Sequence, residues 1–68
     1  MKEVKIKDES IKLGQALKLA GLVDSGLEAK DVIIGGEVLV NGEPDLRRGR
    51  KLRPGDVVSY GGEEFVVS

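Results

Sequence analysis

The hydrophobic period of this 68-residue chain changes twice, and that limits the folds open to it. Residues 2–7, Lys-Glu-Val-Lys-Ile-Lys, alternate charged and apolar side chains, the repeat of a strand with one wet face. From Ile11 the apolar positions fall three and four apart, at Ile11, Leu13, Ala16, Leu17 and Ala20. That spacing predicts a helix, and Gly21 is placed to end it. Ser25-Gly-Leu-Glu28 has the form of a capping box, with Ser25 as the cap and Glu28 reaching back. It opens a second helix expected to bury Leu27, Ala29, Val32 and Ile33 before Gly35-Gly36 stops it. At Glu37 the period returns to two.

Turn chemistry divides the remainder. Asn41-Gly42 is the sequence of a tight hairpin turn, Pro54-Gly55-Asp56 forms a second turn, and Gly61-Gly62 a third. Strands are expected over 37–41, from about 45 to 52, over 56–60 and over 63–67. The order strand, helix, helix, strands predicts an α+β fold in which a two-helix pair packs on a small antiparallel sheet. Residues 1–68 are expected to form one domain, since a chain this short buries only roughly 60% of its unfolded surface. With Tyr60 and Phe65 the only aromatic residues, the core must be aliphatic.

Several chemistries are excluded at this level. There is no cysteine and no histidine, so disulfides, thiolate nucleophiles, Cys/His metal ligation and histidine general-base catalysis are absent. Glu63 and Glu64 are adjacent on an expected strand and face opposite sides, a poor acid/base pair. The glycines lack phosphate-loop spacing. No catalytic residue, metal or cofactor is expected. The start of the chain has no hydrophobic block, and no apolar stretch approaches the roughly 20 residues of a membrane span, so a cytoplasmic protein is expected.

Against a formal net charge of −1, residues 47–53 (Arg-Arg-Gly-Arg-Lys-Leu-Arg) concentrate five of the eleven cationic side chains. Segregated positive charge holds phosphates by counterion release, although a charged edge strand that resists aggregation is the plain alternative. Strand alternation would split the cluster, with Arg47, Lys51 and Arg53 on one face and Arg48 and Arg50 on the other, unless a bulge at Gly49 gathers them. The scarcity of aromatic residues argues against a base-stacking platform and for contact with RNA backbone and shape.

Leu13-Gly-Gln-Ala-Leu-Lys-Leu-Ala-Gly-Leu-Val-Asp-Ser25, Glu28-Ala-Lys30, Gly36-Glu-Val-Leu-Val-Asn-Gly42 and Arg47-Arg-Gly-Arg-Lys-Leu-Arg-Pro-Gly-Asp56 together resemble a known family. It is the S-four-type RNA-binding domain, named for a small-subunit ribosomal protein, and the match is to its small stand-alone bacterial members. The likeness spans roughly residues 3–67 and is most specific in the Val-Leu-Val-Asn-Gly hairpin followed by Arg-x-x-Lys-Leu-x-Pro-Gly-Asp.

The resemblance implies an αL-type RNA-binding fold and a basic face formed by the first helix's start, the second helix and the basic strand. The matching positions are Lys12, Gln15, Ser25, Lys30, Arg47, Arg48, Arg50, Lys51 and Arg53, with Lys18 beside them on the first helix. Two departures from the family pattern are Leu27, where a second glycine is usual, and Ile34-Gly35, where a polar or acidic pair is usual. Leu27 is expected to narrow phosphate access to the second helix's start. The implied function is non-enzymatic binding of structured RNA, ribosomal or transfer RNA, by a monomer that also meets the ribosome or its assembly factors. The alternative is a protein-interaction module docking on an acidic partner such as an assembly factor.

Overall fold

The computed structural model describes residues 1–68. Along the chain run β1 (Lys2–Val4), β2 (Ile11–Lys12), α1 (Leu13–Leu19), α2 (Gly26–Ile34), β3 (Leu39–Val40), β4 (Glu43–Pro44), β5 (Lys51–Leu52), β6 (Val57–Tyr60) and β7 (Glu63–Val67). Five strands form one sheet in the order β1-β7-β6-β3-β4, and β2 pairs with β5 in a separate ribbon. The α+β class and the helix pair are as the sequence predicts. One pairing differs: β1 lies parallel to β7, with Val4 opposite Val67, so the sheet is mixed. A parallel pair needs a long crossover, and the whole chain between its first and last strands supplies it.

A single cluster of 16 buried residues joins helices to sheet. Leu13, Ala16, Leu17 and Ala20 of α1 and its end, and Ala29, Val32 and Ile33 of α2, meet Val4, Val40, Val58, Phe65 and Val67. Each fully buried Leu or Phe in it contributes about 1.5–3 kcal/mol relative to exposure. Both helices end the same way. Gly21 (φ +76°) and Gly36 (φ +77°) adopt the left-handed conformation, and the amides of Leu22 and Glu37 donate back to Leu17 and Val32. Lys2 Nζ adds a bond of 2.6 Å to the Ala20 carbonyl, a cation at the negative end of α1. The hairpin at Asn41-Gly42 has positive φ at both central residues (52° and 88°), the twist that tight hairpins require.

Three expectations are corrected. Ile11 and Lys12 are not helical; they form β2, Ile11 opposite Leu52 and Lys12 opposite Lys51. Leu27 is 70% exposed, so the buried stripe of α2 is Ala29, Val32 and Ile33 alone. Of the expected strand from 45 to 52 only Lys51–Leu52 is a strand, β5; residues 45–50 are a loop between β4 and β5, with a turn closed by Arg50 N–H donating to Arg47 C=O at 3.1 Å. Its side chains therefore do not alternate as a strand's would. No helix is long and apolar enough to cross a membrane.

Candidate nucleic-acid interface

The start of α1 carries no capping side chain. Lys12, at the cap position, is extended (φ −73°, ψ 144°) and makes no side-chain bond to the helix. Two of the orphan amides are satisfied by the basic loop: Leu13 N–H donates to Arg50 C=O at 2.8 Å, and Gly14 N–H to Arg48 C=O at 3.1 Å. The loop thus seats on the helix through its backbone, leaving its side chains to be placed separately. Gly14 permits the approach, because a Cβ there would lie 2.9 Å from Arg48 Cγ.

Asp45 sorts the arginines. It is 7% exposed, the one buried charged residue of the chain, and it satisfies the loop from below. Its carboxylate accepts from Arg47 backbone N–H (2.9 Å), Arg47 Nε (3.1 Å), Arg47 Nη2 (2.9 Å) and Arg50 Nη1 (2.6 Å). These two arginines form the only ion pairs in the molecule. The Arg47 side chain, foremost, and then Arg50 hold the Asp45 carboxyl well below the usual carboxylate range against the opposing effect of burial. Asp45 raises the Arg47 guanidinium in return. Asp56 is also lowered, chiefly by the Arg53 amide that donates to it at 2.8 Å.

Arg48, between the clamped pair, goes elsewhere. It lines an open concavity of about 430 Å³ with Lys12, Gln15 and Lys18, while Gly26 and Ala29 of α2 form the opposite side. No carboxylate lines this space, and none of Lys12, Lys18 or Arg48 has an acidic partner. Lys51 stands beside it, directly across the ribbon from Lys12, both exposed. Like charges at directly opposed positions destabilise a strand pair. The pair concentrates positive potential at the cost of some stability. Gly26 lines the same space, and its amide, at the positive end of α2, has no acceptor within the protein.

Of the ten residues predicted from sequence, Lys12, Gln15, Lys18 and Arg48 line the concavity. Lys51 adjoins it, and Arg47 and Arg50 are bound to Asp45. Ser25 acts as the helix cap, its Oγ accepting from Glu28 N–H at 3.1 Å, while Glu28 Oε1 accepts from Asp24 N–H at 2.9 Å. Lys30 and Arg53 are exposed and do not line the concavity. Leu27 does not line it either. Sequence reasoning missed Gly14, Gly26 and Asp45. The available signals were a glycine in the first turn of a helix, where it costs stability, and an aspartate two and five residues before two arginines.

Comparison with known proteins adds the following. The model of a family described as S4 domain matches residues 4–68. The chain is 56% identical over 59 residues to a Bacillus subtilis (strain 168) protein named "Probable ribosome maturation protein RlbA", covering 87% of this chain and 83% of that one. It is 36% identical over 61 residues to YbcJ of Escherichia coli (strain K12), covering 90% and 87% of the two. The solution structure of E. coli YbcJ, described as revealing an alfaL motif involved in RNA-binding, superposes with a TM-score of 0.75 at 34% identity, over 98% of this chain and 86% of that one.

Proposed function

This chain belongs to the S4 domain family, and from that premise we propose that it is a non-enzymatic cytoplasmic protein that binds structured RNA during ribosome maturation. The observation that carries the proposal is the concavity in which Lys12, Lys18 and Arg48 converge with no acidic partner beside the open amides of α2. Three unpaired cations and a helix N-terminus are suited to phosphate oxygens, which position an RNA without reading its sequence. Gln15, with a donor and an acceptor, can reach a sugar hydroxyl or base edge. The relative named for ribosome maturation supports ribosomal RNA as the target class.

Binding of a fluorescent ribosomal RNA fragment, titrated at several salt concentrations, tests this. About three to four phosphate contacts give log K a slope of roughly −2 to −4 against log salt. Absence of binding at low salt overturns the proposal. In a pull-down, partners that survive nuclease treatment would instead identify an acidic protein surface as the ligand of the same cations.

A further inference from the structure

A second concavity, of about 280 Å³, lies across Gln15, which lines both. The two differ in chemistry. Ala29 is the only apolar side chain in the first, whereas Ile6, Ile11 and Leu19 line the second. Leu19 is 62% exposed, an apolar group on the outward side of α1 with no partner from the protein's own core. Lys5, Lys7, Asp8 and Ser10 complete the wall, and neither lysine is ion-paired or bonded to a carbonyl.

We propose that this second concavity receives an unstacked nucleobase from a single-stranded nucleotide adjoining the RNA held in the first. The inference rests on the RNA-binding reading above and extends it to a defined subsite. Leu19 and Ile6 offer an apolar surface to the base, and Gln15 and Ser10 offer hydrogen bonds to its edge. Lys5 and Lys7 meet the phosphate of the same nucleotide. Asp8, the one carboxylate in the wall, disfavours a second phosphate inside the space and accepts a hydrogen bond from a base amino group. Gln15 and Leu19 are one helical turn apart, about 6 Å along the axis, so the strand passes directly from one concavity to the other.

The test uses one RNA stem in two forms, blunt and with a short single-stranded extension, against the wild type, Leu19→Gln and Lys7→Gln. The wild type should bind the extended form more tightly. Leu19→Gln should lose roughly threefold to tenfold on the extended RNA and nothing on the blunt one. Lys7→Gln should show a smaller loss, again only on the extended form, with thermal unfolding unchanged for both variants. Equal affinity of the wild type for both RNAs, or equal losses by the variants on both, overturns the subsite while leaving RNA binding intact. Failure of the wild type to bind either RNA overturns both readings.

Discussion

Arg47 and Arg50 rest on Asp45, whereas Arg48, between them in the chain, reaches the concavity shared with Lys12, Gln15 and Lys18. The clamp is local: three residues within six positions, one of them buried, joined by charged hydrogen bonds. The concavity is assembled from three segments distant in sequence, and its cations are unpaired. In the clamp, positive charge is spent on holding a loop; in the concavity it remains available to a ligand. Charge density along a sequence therefore overstates the charge a partner meets.

The largest expected effect breaks the clamp. Asp45→Ala removes the acceptor for four hydrogen bonds and releases the loop that caps α1, and urea unfolding should show a loss of about 2–3 kcal/mol. Retained stability would mean that the backbone bonds from Leu13 and Gly14 hold the loop unaided. The clamp also predicts a pH dependence. The Asp45 carboxyl is lowered on folding, so its contribution is present above its unfolded value, about 3.9, and is lost as pH falls below that. The stability difference between wild type and Asp45→Asn should stay constant from about pH 7 to 5 and shrink below about pH 4.

On the other side of the comparison, Lys12→Ala with Arg48→Ala should lower RNA affinity about tenfold to hundredfold and reduce the salt slope by about 1.4–1.8, with no loss of stability, since the Lys12–Lys51 repulsion is relieved. Arg47→Ala should change affinity by less than about threefold. Equal effects in the two experiments would erase the distinction between the regions.

Gly14→Ala probes the contact between them. Its better helix propensity opposes the displacement of Arg48, so stability should move by less than about 1 kcal/mol while RNA binding weakens. The smallest effect belongs to Leu27→Ala, within about 0.5 kcal/mol in stability, because that side chain is exposed.

Much of the fold was legible. The change of period marked the two helices, the capping box marked the start of α2, and Asn41-Gly42 and Gly61-Gly62 marked hairpins that the sheet contains. The strand expected over 45–52 as the returning arm of the Asn41-Gly42 hairpin holds only at Lys51–Leu52: the returning arm is Glu43–Pro44, and a loop whose conformation is set by the buried Asp45 separates it from β5. Ile11 satisfied the helical period and still joined β2, because burial against Leu52 meets the same hydrophobic requirement. Leu27 was assigned to the core on hydrophobicity alone, whereas its position in the first turn of α2 points it outward.

The residue types alone specified the chemistry: no thiol or imidazole, a core aliphatic except for Phe65, and a cationic stretch beside a tight hairpin. Hydrophobic period and turn residues act over a few positions, so they are readable in the chain. Which cations are free is a matter of distance between segments far apart in sequence, and only the packed structure sets those distances. Asp45 captures Arg47 and Arg50 within hydrogen-bonding range, and the seating of the loop on Leu13 and Gly14 carries Arg48 to Lys12 and Lys18.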